Sequence, residues 1–125
     1  DLCGSLSVIG DLYKTEAFEL CRYINRDKEI IPWHTINKPP SAELRPDQKD
    51  TDSLPDYPVL DAILYQYVEL SKSAEEIIEQ GYDEVVVNKV VNMVYRNDFK
   101  RFQIAPVLAI SPKPFAMREM PIVKK

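Results

Sequence analysis

Few residues in this chain are of the types that do covalent or metal chemistry, and their spacing settles much of what they can do. Cys3, Cys21 and His34 are the whole thiol and imidazole complement. A zinc centre needs three or four such ligands at regular spacing, and these three form no recognisable set. With no secretory context the cysteines read as free, partly buried thiols rather than a disulfide. A Cys–His nucleophile needs an activated thiol, and nothing in the local sequence marks either one. Asp47, Asp50, Asp52 and Asp56 offer the hard oxygens that Mg²⁺ takes. They lack the glycine and closing glutamate of an EF-hand, however, and read as solvated loop acids.

Charge adds a second clue. Residues 1–95 carry 9 Lys/Arg against 18 Asp/Glu, whereas 96–125 carry 7 against 2. This basic C-terminal quarter has neither interleaved exposed aromatics nor the spacing of a helix-turn-helix or zinc module, so a phosphate-bearing small molecule suits it at least as well as nucleic acid. Lys124 and Lys125 also read as a solvated tail. The longest apolar runs, such as 107–110, are far shorter than the roughly 20 residues that cross a bilayer, and no leader precedes them. The expectation is a soluble, cytoplasmic protein.

The elements that must position these groups follow from periodicity. An apolar fraction of 45% and a charged fraction of 29% are those of an ordinary globular domain, and the length suits one core. Within 14–27, Ala17, Leu20, Cys21 and Ile24 repeat at helical spacing, with Glu16 and Glu19 in front and Arg22 and Arg26 behind, as the helix dipole favours. Before it, 6–14 reads as a loop or brief strand broken by Gly10. After it, Ile30 and Ile31 precede Pro32, and extended chain is expected. Leu60, Ile63, Leu64, Tyr67 and Val68 predict a helix over 59–70, with Pro58 suited to its first turn. Ser73 with Glu76 forms a capping box for a short helix that stops at Gly81. The valines of 84–95 suit a strand by type, but Val87, Val90, Val91 and Val94 keep the helical period and Asp83 supplies an N-cap, so helix is predicted. Residues 96–125, with Pro106, Pro112, Pro114 and Pro121, read as extended and loop-like.

Four helices are compatible with a small bundle. Residues 37–57, however, are a long Pro- and acid-rich stretch with no pattern, and such loops in compact domains serve as lids, binding segments or linkers. The abrupt start at "DLCGSLSVIGD" looks cut from something larger.

Three blocks, "GSLSVIGDLYKTEAFELCRYIN", "KPPSAELRPDQKDTDSLPDYPVLDAIL" and "RNDFKRFQIAP", resemble in order and spacing the C-terminal part of bacterial NAD synthetases, the glutamine-dependent kind most closely. The resemblance covers nearly the whole chain. It implies that 1–125 is the C-terminal portion of a synthetase domain of the ATP-pyrophosphatase superfamily: a mainly α fragment of an α/β Rossmann-like (adenine nucleotide alpha hydrolase-like) domain, with about four helices plus long loops. The implied reaction is ATP-dependent adenylation of the nicotinate carboxylate of deamido-NAD, releasing pyrophosphate, then amidation by ammonia from glutamine, releasing AMP. The superfamily's SGGxDS phosphate loop and the glutaminase domain are not in this sequence, so the fragment alone is expected to be inactive.

Carried over residue by residue, the resemblance assigns ATP contacts to Lys14, where a point cation offsets charge on leaving pyrophosphate, and to Ser41, presented by Pro39 and Pro40. It assigns deamido-NAD contacts to Asp1 and Lys100. Phe99 stands where relatives carry Tyr or His, keeping an aromatic surface but losing a polar tip. Arg101 and Lys113 are weaker candidates as phosphate helpers. Mg²⁺ is implied with ATP, its ligands expected outside the fragment. Residues 37–57 become the mobile loop, with 42–56 expected to be mobile or held by a neighbouring chain without ligands. A homodimer or larger oligomer is implied, and a non-catalytic helical oligomerisation module, through 59–70 and 84–95, is the alternative.

Overall fold

The structure, a computed structural model, describes residues 4–112 and 114. Among these residues the secondary structure is helical. Five α-helices are formed by α1 (Lys14–Ile24), α2 (Trp33–Asn37), α3 (Tyr57–Leu64), α4 (Ala74–Ile78) and α5 (Glu84–Arg96), with a π turn at Tyr65–Glu69 and 3-10 turns at Asp50–Asp52 and Asp98–Phe102. The chain divides into two compact units, Tyr13–Asp61 and the described residues on either side of it, the boundary falling within α3.

In the Tyr13–Asp61 unit, α1 packs against α2. The apolar core is small: Ile36 and Leu60 are its buried hydrophobes, and Asn25 and Asp61 are buried polar residues of the same unit. Polar side chains organise this unit. Asp61 accepts from the Thr15 backbone N–H at 2.8 Å, placing a carboxylate at the start of α1 where unpaired donors and the helix dipole favour it. Asn25, just past α1, accepts from the N–H groups of Ile30 and Ile31, both at 2.9 Å, and donates to the Ile31 carbonyl at 2.7 Å. The turn this makes delivers the chain to Pro32, whose carbonyl accepts from Thr35 and Ile36 and opens α2. The expected extended run therefore ends at Pro32, with Trp33 already helical: a proline disfavours helix before itself but suits the entrance to one.

In the other unit, Ile63, Val68, Ile77, Val87 and Val90 form the buried core. α4 packs on the π turn and on α5, which packs on the 98–102 turn. The capping box is formed: Ser73 Oγ accepts from Glu76 N–H and the Glu76 carboxylate from Ser73 N–H. Asp83 caps α5 through Val86 N–H at 2.9 Å. The helix expected over 59–70 starts earlier and changes pitch, with Leu70 N–H reaching Tyr65 carbonyl, five residues back. The wider turn buries Gln66, whose side chain accepts from Lys72 Nζ at 3.0 Å. Residues 4–12 form turns and pair with the tail through one parallel bridge, Ser7 with Val107. The buried Asp11 carboxylate holds that tail, accepting from the N–H groups of Ile110 at 2.8 Å and Ser111 at 2.7 Å. Gly10 sits where a Cβ would lie 2.6 Å from Ser7 Oγ and 3.0 Å from a Val107 methyl, so any side chain there makes Ser7 and Val107 give way.

Asn25→Ala strands two backbone donors and an acceptor at once. It is expected to cost about 3 kcal/mol in urea denaturation, with Asn25→Asp, which keeps the acceptor oxygen, costing less.

Candidate functional site

The long loop has an internal architecture. From Lys38 onwards the chain runs out through Pro39 and Pro40, turns at Glu43 and Asp47, both at positive φ, and returns through the 50–52 turn. Asp50 closes the base: its N–H donates to the Pro40 carbonyl at 2.9 Å. Asp52 secures the return strand by accepting from Lys49 N–H at 3.0 Å, and it pairs with Arg45 at 3.5 Å. Ser41 Oγ accepts from Glu43 N–H at 3.0 Å, and Glu43 pairs with Lys38, which holds its carboxyl below the usual carboxylate range.

Within the turn lies a cleft of about 440 Å³, lined by Lys38, Pro39, Ser41, Glu43, Arg45, Asp47, Gln48 and Lys49. Three cations and one hydroxyl face two carboxylates there. Lys38 and Arg45 are already engaged by Glu43 and Asp52, while Lys49 makes no ion pair among the described residues. An incoming polyanion can take over these cations from exposed carboxylates at small cost, since exposed ion pairs contribute little.

Tyr57, the first residue of α3, ties this loop to α1. Its hydroxyl donates to Asp50 Oδ2 at 2.6 Å. Its ring lies 6.0 Å from Lys14 Nζ, and Phe18 presents a second ring to the same ammonium at 5.4 Å. Burial, then the Asp50 carboxylate, push the Tyr57 phenol well above the ordinary tyrosine range.

The sequence-derived residues are distributed as follows. Lys14 and Ser41 belong to the Tyr13–Asp61 unit. Ser41 lines the cleft; Lys14 does not, and is linked to it through Tyr57, Asp50 and Pro40. Lys100 is exposed in the 98–102 turn of the other unit. Arg101, expected as a phosphate helper, is instead nine-tenths buried against Asp98. Asp1 and Lys113 lie outside the described residues. Asp50 and Asp52 are structural acids whose oxygens are engaged within the loop. Lys38, Arg45, Lys49 and Tyr57 carry no local signal of function, because the stretch reads as acid-rich and the tyrosine as the last residue of the unpatterned loop.

The described residues are thus a helical chain carrying a cationic, hydroxyl-bearing loop cleft. The NAD synthase family model matches residues 1–104, and the chain belongs to that family. It is 51% identical to the glutamine-dependent NAD(+) synthetase of Acinetobacter baylyi over 98% of its length, covering 23% of that protein. It is 48% identical to the enzyme of the same name from Synechocystis sp. over 99% of its length, covering 22% of that protein. It thus spans under a quarter of these relatives. The solved glutamine-dependent NAD+ synthetase of Acinetobacter baumannii, in complex with ADP, is similar in structure, with a TM-score of 0.50 and 38% identity over 86% of this chain and 18% of that one.

The raised Tyr57 value has a defined sign. The protonated phenol is favoured by folding, so its contribution is complete below the unfolded tyrosine value of 10.0 and is lost as pH rises through the folded value. Phenolate absorbance is expected to show one late-ionising tyrosine that Tyr57→Phe removes and Asp50→Asn brings to lower pH.

Proposed function

We propose that the chain is the C-terminal portion of the synthetase domain of a glutamine-dependent NAD synthetase, and that Lys14 and Ser41 contact ATP from it. The observation that carries the reading is the Ser41 cleft, walled by Lys38, Arg45 and Lys49, in a chain 48–51% identical to such synthetases. The rest of an α/β Rossmann-like domain, with its phosphate loop, belongs to the remainder of the protein.

In the proposed reaction a carboxylate oxygen of deamido-NAD attacks the α-phosphorus of ATP and the bond to the β-phosphate oxygen breaks, giving an acyl-adenylate and pyrophosphate. Ammonia from glutamine then attacks the acyl carbon, loses a proton, and AMP leaves with the C–O bonding pair. Lys14 offsets charge on the departing phosphates, its exposed ammonium held over Phe18 and Tyr57. Ser41, half-buried, presents its hydroxyl toward the nucleotide, and Asp1 and Lys100 hold deamido-NAD.

Mg²⁺ would screen the triphosphate. Among the described residues no three His, Cys, Asp or Glu side chains converge, and the magnesium ligands are assigned in this reading to the rest of the protein. In this reading the 37–57 loop orders over bound ATP and deamido-NAD and keeps water from the acyl-adenylate. The assembly is a homodimer or larger, working in the cytoplasm; no helix among the described residues is long and apolar enough to cross a membrane.

An oligomerisation module is the second reading, favoured by the exposed apolar side chains of Val85 and Leu70. It predicts concentration-dependent sedimentation of the chain and no change in nucleotide use when Lys14 is replaced.

The test is made in the full-length synthetase with ammonium salt as nitrogen donor, which isolates the amidation from glutamine hydrolysis. Lys14→Ala is expected to lower kcat/KM for ATP by about 10²-fold, and Ser41→Ala by about fivefold. Unchanged turnover and ATP saturation in Lys14→Ala would remove the nucleotide role.

A further inference from the structure

We infer that Tyr57 is a positioning residue that sets the ammonium of Lys14 and the base of the Ser41 loop as one unit, an inference that rests on the ATP-binding reading of both. Three contacts converge on this side chain or its immediate partner. The ring lies 6.0 Å from Lys14 Nζ. The hydroxyl donates to Asp50 Oδ2 at 2.6 Å. Asp50 in turn donates its backbone N–H to the carbonyl of Pro40, the residue before Ser41, at 2.9 Å.

The two ends of tyrosine suit different tasks. The π face attracts the ammonium without neutralising it, so Lys14 is held yet keeps its full charge for an incoming phosphate. A carboxylate partner would hold the lysine as well but would cancel the charge the reaction needs. The phenol, which stays protonated far above neutral pH, is a constant donor to Asp50. That acceptor is charged, so the bond belongs to the stronger class.

The backbone around Tyr57 is also fixed. It is the first residue of α3, Pro58 follows it, and the Asp56 carbonyl accepts from Val59 and Leu60 N–H at 3.0 and 2.9 Å. One turn further along, Asp61 receives the Thr15 N–H at 2.8 Å, which holds the start of α1 against the same helix that bears Tyr57. Lys14 is therefore located by Asp61, which holds its neighbour's backbone, and by the Tyr57 ring, both from α3. The 38–56 loop is located by the Tyr57 hydroxyl. Removing only the hydroxyl should release the loop and leave the ammonium in place.

The test uses the full-length synthetase with ammonium salt as nitrogen donor. Tyr57→Phe is expected to raise KM for ATP about fivefold, the worth of one net hydrogen bond, with kcat within twofold. Asp50→Asn removes the charge from the same bond and is expected to raise KM similarly. The double variant should be no worse than either single one, because both act through one contact. Tyr57→Leu should also lower kcat, as Lys14 keeps only the Phe18 ring.

Trypsin supplies a structural readout that is independent of activity. Cleavage after Lys49 should speed up in Tyr57→Phe, which leaves the cut bond itself unchanged. Additive effects of the two substitutions on KM, or unchanged KM in both with unchanged cleavage in Tyr57→Phe, overturn the inference. If Lys14→Ala leaves ATP saturation unchanged while loop cleavage still responds to Tyr57→Phe, the ATP reading falls, and with it the positioning role in catalysis. If Lys14→Ala raises KM and the Tyr57→Phe enzyme behaves as the parent, the positioning role alone falls.

Discussion

Backbone donors outside helices govern how this chain is held together. With only one isolated bridge among the described residues, no sheet ladder pairs the N–H groups of the loops, and a buried unpaired donor costs as much as a lost hydrogen bond. Side-chain oxygens meet the demand instead. Asp61 takes the donor at the start of α1, Asn25 takes two at the turn into α2, and Asp11 takes two from the tail. These three are among the buried polar residues, so their placement is structural before it is chemical. The apolar core could not do the same work, because hydrophobic contact is non-directional and does not fix a loop's course.

The same economy reaches the candidate site. Asp50 and Asp52 fold the loop on itself, leaving Lys38, Arg45 and Lys49 spread around Ser41. Acids that look from the sequence like a solvated run act as the frame that spaces the cations. The ring of Tyr57 does for Lys14 what those carboxylates do for the loop, without the loss of charge that ion pairing brings.

What the sequence showed depended on the range of the interaction. α4 and α5 were legible because their signals are local: Ser73 and Glu76 three residues apart, and Asp83 ahead of a valine period that outweighed β-branching. The apolar stripe of α1 marked a helix, yet Leu20 remains 40% exposed and no α1 residue is buried, so its periodicity did not measure its burial. α2 was missed because Asn25 and Pro32 set it up together across the intervening turn. The π turn has no period to read, since one wide turn shifts the register by a single residue. Asp11 drew no reading, because its donors lie 99 and 100 residues away. For the site, Lys14, Ser41 and Lys100 entered through family resemblance; Tyr57 and the loop cations have meaning only once the chain has turned back on itself.

The small apolar core of the Tyr13–Asp61 unit has a dynamic consequence. A unit held by Ile36 and Leu60 and by a handful of side-chain hydrogen bonds opens at a lower free energy than one centred on Ile63, Ile77, Val87 and Val90. Amide hydrogens in the two units would then exchange with solvent on separate clocks, the residues around Ser41 many times for each opening of α5. Such separate exchange would mark two foldons, the less protected one carrying the Ser41 loop.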